Sequence, residues 1–255
     1  MLYIISTPIG NLKDISYRAV ACLQACDILF CEDKRKAKVL LDAYQIKKPL
    51  HPFHAFSEKK EEARIINLLK EGKKLALISD AGTPLINDPG QDLIQKLIQQ
   101  DLPFTHIPGP CSIISALVLS GLSTERFQFV GFLPKKSGAR EKMLQKMLYF
   151  QGTSCCFESP HRILKTLEQL EKVAPQASIV IMRELTKLYE ERLIGTPQKL
   201  LQHFEKKPPK GEMILLLSQE RGQLSLPLEE LIPLIQEELG FSYKESLKLA
   251  KKLRS

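Results

Sequence analysis

Short apolar runs recur along nearly the whole chain, each followed by a stretch with helical periodicity, and this alternation most narrows the folds open to it. The runs at 2–7, 28–31, 75–79 and 104–107, and later at 127–132, 154–158, 179–183, 192–194 and 213–217, have the length and apolar content of buried strands. Between them, Ile65, Leu68 and Leu69 mark one helical face. Ile94, Leu97 and Ile98 mark a second, and Leu164, Leu167 and Leu170 a third, all expected to lie in a core. The alternation predicts an α/β protein with largely parallel sheets, because a parallel pair needs a crossover of helical length.

A chain of 255 residues is long for one domain. The apolar run 113–119 stops at Gly121, a natural helix end, which sets the expected boundary there. Two α/β domains follow, 1–118 and 119–225, with a short helical tail at 226–255. Arg221, Gly222 and Gln223 read as a linker, and 228–253 as one last helical segment.

Composition removes several classes. No apolar run approaches the roughly 20 residues of a membrane span. The N-terminus lacks the basic start and small-residue cleavage site of a signal peptide, so a cytoplasmic protein is expected. The six cysteines show no C-x-x-C spacing and read as reduced, mostly buried small hydrophobes, with no metal site expected. A net charge of +8 points to an anionic partner, and it is unevenly placed. Lys and Arg outnumber Asp and Glu by 17 to 11 over residues 119–225, but only by 15 to 13 over 1–118.

At 78–90 the sequence reads ISDAGTPLINDPG. A strand gives way to a turn of small residues, Asp80 to Pro84, which lets a ligand approach the backbone; Asp88 is expected to cap the next helix with Pro89 in its first position. Loops at the carboxyl ends of parallel strands are where α/β sheets bind small molecules. A similar strand, tight turn and helix start spans 107–112, and two such loops on neighbouring strands are expected to close around one ligand. No G-x-G-x-x-G, G-K-[ST] or H-E-x-x-H occurs.

Eight segments taken in order resemble the tetrapyrrole-methylase-like S-adenosylmethionine methyltransferases, and within them the ribosomal RNA small subunit methyltransferase I group. They are TPIGNLKDISYRA (7–19), CEDKRKAKVLL (31–41), ISDAGTPLINDPG (78–90), PGPCSIISAL (108–117), FVGFLPKK (129–136), FESPHRI (157–163), RELTKLYEE (183–191) and KGEMILLL (210–217). The resemblance implies two α/β domains with S-adenosylmethionine in the cleft between them, usually in a homodimer. It further implies methylation of the ribose 2′-hydroxyl of a cytidine in the decoding region of small-subunit ribosomal RNA. The substrate would be that RNA or the assembled small ribosomal subunit. Two departures stand out: Lys34 replaces the family's usual Thr in Glu32-Asp33-Lys34-Arg35, and the C-terminal module is shortened.

Matched by motif, Asp80, Ala81, Gly82 and Thr83 line the expected cofactor pocket, with Pro8, Cys111 and Ser112, and from the second domain Phe157, Glu158, Leu185 and Gly211. Methyl transfer to an alcohol is an in-line displacement that needs alignment and help for a poor nucleophile. Glu32, Asp33 and Arg35, with Asn11 and Asp14, are the candidate acting groups, and Glu32 or Arg35 is expected to act on the ribose. Lys135, Lys136 and Arg140, around a helix starting at Ser137, form an expected RNA face with Lys34, Lys36 and Arg162. His161 is unassigned, and His51 and His54 read as loop or core residues. Two rival readings stay open: a methyltransferase of the same superfamily acting on a tetrapyrrole or another small molecule, and a noncatalytic RNA-binding factor.

Overall fold

The computed structural model describes residues 1–54, 58–218 and 228–254. The chain divides into two compact units, Met1–Ser115 with Leu185–Lys187, and Ala116–Glu184 with Leu188–Ser255. The limit lies slightly before the boundary expected at 118, the short segment 185–187 groups with the first unit, and the helical tail groups with the second.

In the first unit, β1 (Leu2–Ile5), β2 (Ile28–Cys31), β3 (Leu50–Pro52), β4 (Leu75–Ile78) and β5 (Phe104–Ile107) form one parallel sheet in the order β3-β2-β4-β1-β5. Successive strand residues face opposite sides, so one run feeds two cores. Leu75 and Leu77 pack with Ile65 and Leu69 of α3 (Glu58–Lys70) and Leu93 and Leu97 of α4 (Gln91–Gln99). Ala76 and Ile78 pack with Leu23 of α1 (Tyr17–Ala25) and Leu40 of α2 (Lys34–Ala43) on the other face. Each strand of this sheet is joined to the next by one of these helices, which is the predicted pattern.

The second unit departs from it. Its strands are β6 (Phe127–Phe132), β7 (Thr153–Glu158), β8 (Ile179–Arg183), β9 (Glu191–Gly195) and β10 (Met213–Ser218), in the order β6-β7-β10-β8-β9. Only β6 and β7 are parallel, and the three other pairings are antiparallel. The expectation of largely parallel sheets is therefore corrected here. β8 reaches β9 without an intervening helix, which leaves only a reversal. Leu144 and Met147 of α6 (Ser137–Tyr149), Leu167 and Leu170 of α7 (Ile163–Val173) and Phe204 of α8 (Pro197–Lys206) cover Ile181, Met213 and Leu215.

Several local expectations also change. Ile98 and Leu164 are exposed rather than core. α4 is capped by Gly90, whose φ of 125° only glycine adopts comfortably, and Asp88 lies before the cap. The last segment is two helices, α9 (Leu228–Leu239) and α10 (Tyr243–Arg254), broken at Gly240 with φ 64°. Ser242 and Glu245 exchange hydrogen bonds there as a capping box, with Ser242 N donating to Glu245 Oε2 at 2.9 Å. The linker expected at 221–223 lies outside the described residues. α5 (Ser112–Ser120) ends before Gly121 as expected. The cysteines are all reduced, and burial raises the Cys26 and Cys31 thiols to about 11 and that of Cys155 to about 12. No helix among the described residues is long and apolar enough to cross a membrane.

Candidate functional site

The parallel strands of the first unit bring their carboxyl ends to one edge, where β1, β2, β4 and β5 open into loops. Thr7 and Gly82 form an isolated antiparallel bridge there, with Thr7 N donating to Gly82 O at 2.8 Å and Gly82 N to Thr7 O at 3.0 Å. Gly82 has φ 79°, and a Cβ added there would press Ile9 Cγ2 at 3.3 Å, so the turn at 80–84 requires glycine. Ser6, fully buried at the end of β1, joins the loops: its hydroxyl lies 3.0 Å from Thr83 Oγ1 and 3.0 Å from His106 Nε2. Thr83 Oγ1 donates to the carbonyl of Pro110 at 3.1 Å. The loops after β4 and β5 are thus linked, but β1 stands between the two strands, which are not neighbours as expected. Ser6 and His106 escaped sequence reading, although Ser6 directly precedes the first matched segment.

Asp80 couples this edge to α2. Its Oδ1 accepts from Asp33 N at 2.9 Å and its Oδ2 pairs with Lys36 Nζ at 2.8 Å. Lys36, expected to face RNA, is therefore tied to the loop assigned to the cofactor. Asp33 is the true cap of α2, accepting from Arg35 N at 2.8 Å, and its carboxylate holds the Arg35 guanidinium at 2.7 Å. Those hydrogen bonds lower the Asp33 carboxyl to about 2. The Arg35 side chain is 91% exposed, so this candidate sits in solvent beside its own counterion. Lys34 is exposed.

Glu32 and Asp88 have a different setting. Both line a small open depression with Phe53, Ser79 and Pro84. Burial raises the Asp88 carboxyl to about 6, with the negative charges of Glu32 and Asp80 adding to the rise, and burial followed by Asp80 raises Glu32. Asp88 is thus one of two acids crowding one cavity. The sequence signalled it only as a helix cap.

Segment 185–187 adds a close approach. Asn11 N donates to Thr186 Oγ1 at 3.0 Å, and a Cβ on Gly10 would meet Lys187 Cγ at 2.5 Å and Leu185 O at 2.8 Å. Leu185 is buried, and Pro8, Cys111 and Ser112 are half-buried in the same unit. Glu184 and Thr186 have φ of 51° and 64°, a left-handed backbone that costs a non-glycine residue about 1–2 kcal/mol.

In the second unit the matched charges are turned inward. Glu158, at the end of β7, is buried; its Oε1 accepts from Ser159 N at 2.9 Å and its Oε2 from Thr166 Oγ1 at 2.7 Å. Arg162 Nε lies 3.4 Å from Glu158 Oε1, and its Nη2 donates to the carbonyls of Leu133 at 2.6 Å and Pro134 at 3.1 Å. Arg140 is buried and donates to Gln169, whose Nε2 donates to Ser137 Oγ at 2.8 Å. Of the cations expected to face RNA, Arg140 is buried and Arg162 half-buried, and both brace the unit, whereas Lys135 and Lys136 are exposed. Gly211, with φ 79°, lies under the Glu184 carboxylate, which a Cβ would meet at 2.4 Å, so a protein contact accounts for this glycine. Phe157 is half-buried.

The family described as Tetrapyrrole (Corrin/Porphyrin) Methylases matches residues 1–201, and the chain belongs to that family. Solved structures share its fold: a diphthine synthase, 13% identical with a TM-score of 0.67 over 87% of this chain and 91% of the other. Uroporphyrin-III-C-methyltransferase from Thermus thermophilus is 18% identical with a TM-score of 0.61, over 86% and 94%. Within the family, the chain belongs with proteins named Ribosomal RNA small subunit methyltransferase I. The one from Thermotoga maritima is 41% identical over 85% of this chain and 97% of its own, and the one from Haemophilus influenzae 40% identical over 94% and 87%.

Proposed function

We propose that the protein transfers a methyl group from S-adenosylmethionine to the ribose 2′-hydroxyl of a cytidine in the decoding region of small-subunit ribosomal RNA. The observation that carries this reading is identity of about 40%, nearly end to end, with relatives whose names specify that RNA subunit.

The residues of the first unit fit the cofactor. A sulfonium and an ammonium are cations, and the Glu32 and Asp88 carboxyls line one depression and are both held above the ordinary carboxylate range, a cost that a bound cation would relieve. The turn Asp80 to Thr83, with Pro8, Cys111 and Ser112, would hold it. The bound group supplies an electrophilic methyl, and the chain's part is to align the hydroxyl and accept its proton. Glu32 is the better placed of the two catalytic candidates, since its half-buried carboxyl is shifted toward neutral pH while Arg35 is spent on Asp33 in solvent. Lys34, Lys135 and Lys136 supply exposed cations for phosphates.

The test is methyl transfer from isotopically labelled S-adenosylmethionine to undermethylated small subunits and to naked RNA, with nuclease mapping of the labelled nucleotide. Label in a 2′-O-methylcytidine of the decoding region is expected. Cofactor binding with no labelled RNA would defeat the reading and favour a small-molecule acceptor.

A further inference from the structure

Regular strands send residues three apart to opposite faces. Phe129 and Phe132 of β6 break that rule. The pairing with β7 shifts register between them, Gly131 stands at φ 70°, and both rings lie against Phe157, at centroid distances of 4.9 and 5.3 Å. Such an irregularity re-aims a side chain. Here it produces an aromatic shelf at the edge of the sheet: Phe132 is 53% exposed, on an edge strand, with the half-buried Phe157 ring supporting it.

The chain leaves this shelf through a braced turn. Arg162, held by Glu158, donates to the carbonyls of Leu133 and Pro134, so the direction of the next residues is set from inside. Those residues are Lys135 and Lys136, both exposed, followed by exposed Ser137 and Gly138. A large apolar ring and two cations are thereby fixed within five residues of one another on a polar turn. Phe127, at the other end of the same edge strand, is also exposed, so it is the two cations beside Phe132 that favour a polyanion over an apolar partner here. A single-stranded polyanion with exposed bases finds both of its needs, a π face and countercharge.

We propose that Phe132 is a stacking platform for an unpaired base of the RNA, with Lys135 and Lys136 receiving the adjoining phosphates. This rests on the RNA-methylating reading above and assigns a base contact that the matched motifs do not.

The experiment measures binding of the full chain to a single-stranded RNA oligomer that carries 2-aminopurine, over a range of salt. Wild type is compared with Phe132→Leu, Phe132→Tyr and the Lys135→Ala/Lys136→Ala double variant. Phe132→Leu is expected to weaken binding by roughly 5- to 150-fold and to relieve 2-aminopurine quenching, with the salt slope unchanged because no charge is lost. Phe132→Tyr keeps the π face and should bind like wild type. The double variant should reduce the logarithmic salt slope by about 1.4. Cofactor binding and solution mass are followed in the same samples. A Phe132→Leu protein that binds and quenches like wild type, or one whose only change is its mass, overturns the proposal; the second result would make the shelf a contact between copies. If wild type methylates and binds RNA while Phe132→Leu is unchanged, stacking alone fails. If wild type neither binds nor methylates RNA, the functional reading fails with it.

Discussion

Charged residues meet opposite fates in the two units. In the first, the parallel sheet delivers Glu32, Asp80 and Asp88 to one loop edge, where Glu32 and Asp88 line a common depression and both are raised, chiefly by burial, with the Asp80 charge adding to each. In the second, Glu158 and Arg140 are buried and Arg162 is half-buried, and all three are used on neighbouring side chains and backbone groups. The lesson is that a charge within a matched motif is as easily a brace as a contact. Only its partners distinguish the two.

The largest test strikes the brace. Removing the buried Glu158 carboxylate strands its donors Ser159 N and Thr166 Oγ1 and the charge of half-buried Arg162, so Glu158→Ala should lower unfolding free energy by about 2–4 kcal/mol in urea titrations. A loss near zero would mean that this charge is not structural. Gly211→Ala should cost about 1–2 kcal/mol from its left-handed backbone, with a further rise because the new methyl displaces the Glu184 carboxylate.

A test of opposite sign applies to the first unit. Folding raises the Asp88 carboxyl from its ordinary 3.8 to about 6, so between those values the folded chain binds a proton that the unfolded chain has released. Stability should therefore fall as pH rises through that window and stay reduced above it. Asp88→Asn removes the ionisation. Its melting temperature should exceed that of wild type at pH 8, and the gap should close as pH falls from 6 to 4. A gap independent of pH would show that Asp88 is not strained by its neighbours. The smallest effect is expected at the exposed Arg35–Asp33 pair, where Arg35→Ala should leave the melting temperature unchanged.

The strands of the first unit were legible because each is a compact apolar run between helical stretches. β3 was not, since Leu50-His51-Pro52 carries a ring nitrogen and a proline in three residues. The direction of the second sheet was hidden for a different reason. MILLLS and IVIMR are apolar on both faces, a pattern usual for parallel strands, and only the missing helix between β8 and β9 signalled a reversal. The matched segments located the loop at 80–83. They did not reveal that Asp33 rather than Asp88 serves as a helix cap, since both stand as an acid just before a helical run, or that Arg140 points to Gln169, which lies 29 residues away in sequence.

The central claim is that the turn after β4 forms the cofactor wall, while the shelf and lysines of the second unit serve RNA. Equilibrium dialysis of labelled S-adenosylmethionine against wild type and Gly82→Ala tests it most directly, with RNA binding measured on the same samples. Gly82→Ala should keep its fold and its RNA affinity but lose cofactor binding, because a left-handed turn pressed against Ile9 cannot accept a Cβ without moving. A folded Gly82→Ala protein that binds the cofactor as tightly as wild type would contradict the account.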